Sequence, residues 1–154
     1  ANACTDKGFE VDLLFMALSS IGKEDVVKAL DVIANKCRCN FVSIADSNGS
    51  LYGQQVEMLS KLFQEKLPNH VGFYGSNAQC MAYANTIQAI CTLEGAVMVN
   101  SSILGLGCSA GITPTENLLL FLSLRFTRFR PRPILVVIKS HVQQLVDDLK
   151  WGPS

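Results

Sequence analysis

Apolar, strand-like runs begin near residues 9, 41, 71 and 96, and a stretch with helical spacing follows each of them. A spacing of roughly 25 to 30 residues suits successive right-handed β-α units, because a chain must cross back over a sheet before it can pair in parallel. The first run, G-F-E-V-D-L-L-F-M-A-L, predicts a buried strand from Phe9 to Ala17, and Val26, Val27, Leu30 and Ile33 then recur on one helical face. F-V-S-I-A predicts the second strand, D-S-N-G-S (Asp46 to Ser50) its end, and Tyr52 to Lys66 its amphipathic helix. V-G-F-Y is the third strand, with a helix from Gln79 to Leu93 that stops near Gly95. A-V-M-V-N is the fourth, with a helix from Pro114 to Leu124, where a proline in the first turn forfeits no helical hydrogen bond. A last helix is expected from Pro133 to Leu149. The repeat is structural, since the units share no sequence similarity.

The fold class is therefore α/β, built of parallel β-α units. Four units make half of a TIM-type (β/α)8 barrel, whose usual size is about 250 residues. The 154 residues, 49% hydrophobic and 17% charged, can bury one core, so one partial-barrel domain is expected over 1–154. A half-barrel exposes two sheet edges and an apolar inner face. Self-association or a complementary half-barrel is the expected partnership. A start without Met and an end on W-G-P-S fit a fragment.

Charge excludes other partners. Lys+Arg and Asp+Glu are both 13, so no global field favours nucleic acid or an anionic membrane. R-F-T-R-F-R-P-R, Arg125 to Arg132, interleaves cations and aromatics, but a solvated connection between helices outweighs a phosphate-backbone site. No run of about 18 apolar residues spans a membrane, and the amino end lacks a signal-peptide pattern, so the cytoplasm is the default location. The six cysteines lack C-x-x-C spacing and five lie in or beside apolar segments, which predicts reduced, mostly buried thiols. The lone C-R-C (Cys37 to Cys39) is a weak metal signal. Cys80 and Cys91 are expected to pack within a helix.

In a barrel or an open sheet, function lies at the carboxyl ends of the strands. Four loops meet there: A-L-S-S-I-G, A-D-S-N-G-S-L-Y, Y-G-S-N and L-G-L-G-C-S-A-G. Asp46 in D-S-N-G is a candidate to support a metal or a substrate hydroxyl, yet the same residues make an efficient turn, with Asp accepting backbone N–H groups and Gly49 at positive φ. The turn is the preferred reading. Tyr74 and Ser76 lack a nearby base, because His70 belongs to the opposite end of the same strand. His141 falls on the last helix as a surface or half-buried residue. Cys108 is the one thiol on the functional face, without an evident activating neighbour. Gly105, Gly107 and Gly111 are candidates to let backbone N–H groups approach an anion or substrate; their G-x-G-x-x-x-G spacing is not the dinucleotide fingerprint.

K-G-F-E-V at the start, A-D-S-N-G-S-L-Y, then V-G-F-Y-G-S-N with A-N-T-I, then G-L-G-x-x-A-G-x-x-P-x-E, and K-W-G-P at the end together resemble the carboxyl half of the metal-dependent aldolase and acyl-CoA lyase barrels. That group includes 4-hydroxy-2-oxovalerate aldolase and the 3-hydroxy-3-methylglutaryl-CoA lyase-like, pyruvate carboxyltransferase-like proteins. The resemblance implies a divalent cation such as Mn or Mg, held by an Asp after the first barrel strand, a His-x-His pair, and in some members an Asn of the glycine-rich loop. The cation would polarise a carbonyl or enolate oxygen so that a carbon-carbon bond breaks or forms. The His-x-His positions fall on Tyr74 and Ser76, the Asn that follows on Asn77, and the loop Asn on Ile112. Hydroxyls of high pKa do not replace imidazoles. No metal or other cofactor is expected. Asp46, Ser47, Tyr74 and Asn77 remain as candidate catalytic residues, with Asn85 in the scaffold and a small 2-oxo acid or acyl-CoA as the possible ligand. The expectation is a degenerate or fragmentary family member. The alternatives are an active lyase completed by a partner, or an anion-binding module.

Overall fold

The computed structural model describes residues 1–68 and 70–150. Four parallel strands lie in the order β1 (Asp12–Phe15), β2 (Phe41–Asp46), β3 (His70–Gly75), β4 (Met98–Asn100). A short helix, α1 (Asn2–Thr5), precedes them. The crossovers are α2 (Lys23–Lys36), α3 (Gly53–Lys66) and α4 (Ala82–Thr92), and α5 (Thr115–Ser123) follows β4. Every sequential strand is also a spatial neighbour, the arrangement of consecutive β-α units.

Alternation sorts the strand residues onto two faces. Leu13, Phe15, Val42, Ile44, Val71 and Phe73 point to the helices and join Leu30, Val56 and Phe63 in the core. Phe15 meets Phe63 edge-on, with centroids 5.6 Å apart. The other face carries Asp12, Leu14, Ser43, Ala45, Gly72, Tyr74, Met98 and Asn100, and Leu14 is 44% exposed there. This face lies opposite the one on which the core packs.

Both edge strands are shorter than their apolar runs. β1 starts at Asp12 rather than Phe9, because its ladder begins only where β2 begins, with Asp12 opposite Phe41. Upstream, Gly8 at φ +84 ends the α1 turn, and Phe9 is 64% exposed. β4 starts at Met98, opposite Gly72 and two residues past the start of β3. The helix expected from Gln79 begins at Ala82, because Cys80 takes a left-handed φ of 58 in the preceding turn. Pro114 stands just outside α5 with extended backbone. The last helix runs as α6 (Arg132–Val137), a π-helical turn (Ile138–Val142) and α7 (Gln143–Leu149), with Ile138 its one buried residue. The K-W-G-P stretch falls mostly outside the described residues.

The cysteines correct the expectation of buried thiols. Cys4, Cys80, Cys91 and Cys108 are exposed, and Cys37 and Cys39 half-buried. Cys80 sits in a turn rather than a helix, and Cys91 lies on the outer side of α4, its sulfur 3.7 Å from an Arg125 guanidinium nitrogen. Arg125 to Arg132 connect α5 and α6, with Arg125 stacked over Phe121 and Arg128 over Phe126 and Phe129. Among the described residues no helix is long and apolar enough to cross a membrane.

Candidate functional site

A cleft of about 520 Å³ opens at the carboxyl ends of the strands. β1 and the residue after it contribute Leu14 and Met16; the end of β2 contributes Ala45, Ser47 and Asn48; the end of β3 contributes Tyr74, Ser76, Asn77 and Ala78; Cys108 to Gly111 close it from the loop after β4. Three of the four expected loops thus meet at one surface, and β1 supplies residues ahead of the fourth.

The loops are fixed by backbone bonds to one another. Ser76 N–H donates to the Asp46 carbonyl at 3.2 Å, and Asn77 N–H to the Gly111 carbonyl at 2.9 Å. Ser76 and Ile112 form an antiparallel bridge. Gly105 is required at its position, because a Cβ would come 2.6 Å from the Ile112 carbonyl oxygen and φ is +69. Leu104 N–H donates to the Glu116 carboxylate at 3.0 Å, so the glutamate of P-x-E braces the glycine-rich loop. Below it, the Thr86 and Thr113 hydroxyls bond at 2.7 Å and Thr113 also donates to the Ala82 carbonyl. That buried pair escaped the sequence reading, since two threonines 27 residues apart carry no local signal.

The candidates now separate. Asp46 is 2% exposed and does not line the cleft; its carboxylate accepts Ser50 N–H at 2.9 Å and Leu51 N–H at 3.2 Å. The turn role is what the geometry displays. Asn85 donates to the Leu51 carbonyl at 2.6 Å, fastening α4 to the same turn. Ser47 faces the cleft, its Oγ accepting Ala17 N–H at 2.9 Å. Asn77 lines the cleft while its Oδ1 accepts Ala82 N–H at 3.2 Å, tying the start of α4 to the cleft loop. Ser76 Oγ donates to the Ser47 carbonyl at 3.3 Å. Tyr74 lines the cleft half-buried. Gly111 reaches the cleft, whereas Gly105 and Gly107 do not line it. His70 is exposed at the opposite end of β3, its ring 5.6 Å from that of Phe41, and His141 is exposed on the π turn.

The lining provides hydroxyls, amides and one thiol, with no imidazole and no carboxylate. Among the described residues no group of three His, Cys, Asp or Glu side chains is placed to hold a metal. Tyr74, Ser76 and Ile112 do not fit a divalent cation, since neutral hydroxyls and an aliphatic chain leave its charge uncompensated.

Burial pushes the Cys39 thiol up from its ordinary value, and the neighbouring Cys37 and Asp12 add to this. This cysteine lies at the amino end of the sheet, away from the cleft.

The solved N-terminal domain of a putative aldolase from Bacteroides vulgatus superimposes with a TM-score of 0.81 at 24% identity, covering 99% of this chain and 50% of that one. The Bacillus subtilis HMG-CoA lyase gives 0.78 at 17% identity, covering 99% and 54%. In sequence, the 4-hydroxy-2-oxovalerate aldolase of Bacillus thuringiensis (strain Al Hakam) is 33% identical over 112 residues, which are 73% of this chain and 32% of the enzyme. The chain thus spans about a third of that relative and about half of the solved neighbours. The HMGL-like family model matches residues 1–143, and the chain belongs to the HMGL-like family of aldolases and lyases.

Proposed function

We propose that this chain is a binding member of the aldolase/lyase group that performs no metal-dependent catalysis on its own. The observation that carries this reading is the chemistry of the strand-end cleft, where Tyr74 and Ser76 stand at the His-x-His positions and no carboxylate or imidazole joins them. The cleft still suits a small 2-oxo acid. Cys108, Ser109 and Ala110 lie in its wall, and their backbone N–H groups donate to no other group among the described residues. Successive free amides in a turn favour a carboxylate. The Tyr74 hydroxyl can donate to a keto oxygen, while Leu14 and Met16 shield an aliphatic end.

The decisive experiment titrates the chain with Mn²⁺ and Mg²⁺, and separately with pyruvate and oxalate, following amide shifts by NMR. Carboxylate-dependent shifts of the Cys108–Gly111 amides without metal are expected. Stoichiometric Mn²⁺ binding with cleavage of 4-hydroxy-2-oxovalerate would overturn the reading.

A second reading, an active carbon-carbon lyase whose other half comes from a partner, is favoured by the intact bonding between the loops. It predicts activity when a half-barrel that carries the family's Asp after its first strand is added, and its failure with all such halves would remove it. A reducing compartment, the cytoplasm, agrees with the exposed thiols of Cys4, Cys80, Cys91 and Cys108.

A further inference from the structure

The arginine-rich connection between α5 and α6 borders a hollow that the strand-end cleft does not share. This hollow, of about 330 Å³, lies between α4, β4 and the connection, and Ile90, Leu93, Val97, Val99, Leu122 and Phe129 supply apolar walls. Val99 pairs opposite Phe73, a core residue, so the hollow is on the helix side of the sheet and separate from the open face. Leu93 and Val97, just ahead of β4, place it at the amino ends of the strands. Phe126 and Arg128 line it and also line a second hollow, with Arg125 and Thr127, so an apolar space adjoins a cationic one. No carboxylate lines either, and Glu94 sits between the lining residues Leu93 and Gly95 without joining them. Arg125, Arg128, Arg130 and Arg132 take part in no ion pair among the described residues. Arg128 stacks 4.9 Å from the Phe129 ring centroid and 5.8 Å from that of Phe126. A guanidinium stacked by its face keeps its N–H edge for an oxyanion.

We propose that the two adjoining hollows bind an aliphatic carboxylate, its chain among the apolar walls and its head on Arg128 with Arg125 beside it. The volume is at the lower end of the roughly 300–1,000 Å³ of small-molecule sites, which pair mostly apolar walls with a few placed polar groups. Aliphatic walls select the chain, and a rim of one sign selects the charge of the head. A nucleic acid fits less well, because bases bind by stacking on aromatic faces. Phe121, Phe126 and Phe129 each already carry a guanidinium over the ring, and Phe126 and Phe129 meet edge-on at 6.1 Å. The site lies away from the strand-end cleft and does not rest on 2-oxo acid binding there.

Calorimetric titration of the whole chain with hexanoate, octanoate and decanoate, each below its micelle concentration, tests this, and NMR amide shifts locate the ligand. Affinity should rise up to about fourfold per added methylene until the hollow is full. The shifts should fall on Ile90, Leu93, Val97 and Phe129. Octanol should bind about fivefold more weakly than octanoate, the upper range for an exposed charge pair, and added salt should narrow that difference. R128Q, its fold verified by circular dichroism, should bind octanoate no better than octanol while its affinity for octanol stays at the wild-type value. Ile90→Trp, which fills the hollow, should remove the dependence on chain length. The proposal is overturned by no octanoate binding in the millimolar range, by equal affinity for hexanoate and decanoate or for octanoate and octanol, or by wild-type octanoate affinity in R128Q. Octanoate shifts confined to Cys108–Gly111 would overturn it too, as would binding of oligouridylate without binding of octanoate. Pyruvate and oxalate report only on the strand-end cleft, so the two readings fail separately.

Discussion

Replacing Asp46 separates its two readings, because a turn residue and a chemical group respond differently. The carboxylate is 2% exposed and accepts two backbone N–H groups, of Ser50 at 2.9 Å and Leu51 at 3.2 Å. Hydrogen bonds to a charged acceptor contribute about 1.5–3 kcal/mol each, and a buried donor left unmade costs about 1–3 kcal/mol. Ser50 is only partly covered and regains water on truncation, while Leu51 is buried at 3% exposure and does not. Counting one full loss and one partial loss, Asp46→Ala should destabilise by about 3 kcal/mol. Asp46→Asn keeps one acceptor but aims an amide N–H at a backbone N–H, for a loss of about 2 kcal/mol. Urea unfolding with both variants at constant m measures this. If Asp46 instead serves a ligand, both variants would lie within about 0.5 kcal/mol of wild type, the range of substitutions away from structural features, and the capping argument would be refuted. The Leu51 carbonyl holds the Asn85 side chain, so Asp46→Ala should also loosen the attachment of α4: amide exchange at Asn85 rises together with that at Leu51.

Gly72→Ala would drive a Cβ into Ser43 Oγ and to 2.9 Å from the Met98 carbonyl, costing about 1–3 kcal/mol or more by thermal unfolding. Gly53→Ala, with nothing within 4 Å of its Cβ, should be neutral or stabilising in the same assay. The double variant Tyr74→His, Ser76→His puts two imidazoles at the end of β3 and should bind Ni²⁺ about tenfold or more tightly than the wild type in calorimetric titration; no gain would mean the two side chains do not converge. Cys39 keeps its proton more tightly folded than unfolded, so its stabilisation is present below the ordinary value of 9.0 and lost as pH rises through the raised folded value. Its alkylation should lag that of exposed Cys4, Cys80, Cys91 and Cys108, and Cys39→Ser should flatten the alkaline fall in stability.

The parallel order was legible because each unit has its own apolar run and its own helical stripe, and neither depends on distant partners. Val42, Ile44, Val71 and Phe73 are core residues in the sequence and in the fold. The ends of β1 and β4 were not legible: Phe9 and Ala96 are as apolar as strand residues, but β1 pairs only from Asp12, where its single neighbour β2 begins, and β4 pairs only from Met98 although β3 already runs from His70. The cysteines misled for a related reason. Apolar company in sequence places a residue in a helix or beside a strand, while the side on which it emerges is decided by phase, and Cys91 emerges outward. At the site, the D-S-N-G turn was readable as local chemistry, whereas the Thr86 and Thr113 pair arises from two segments that meet only after folding.

The strand-end residues divide by whether the fold uses their polar atoms. Asp46, Ser47, Asn77 and Glu116 each accept a backbone N–H, Asp46 within its own turn and the others from a different element or loop, so replacing any of them loosens a loop. Position 76 contributes mainly main-chain bonds, through its N–H to Asp46 and its bridge to Ile112, and these are available to any residue other than proline. Tyr74 pairs as a strand residue between Ala45 and Asn100, again through its backbone. The fold therefore uses positions 74 and 76 mainly through their backbone, so replacing either side chain should cost little stability while the bonds between the loops persist. The cleft at the strand ends is thus held by main-chain bonds between its loops, and its shape does not depend on the side chains at 74 and 76.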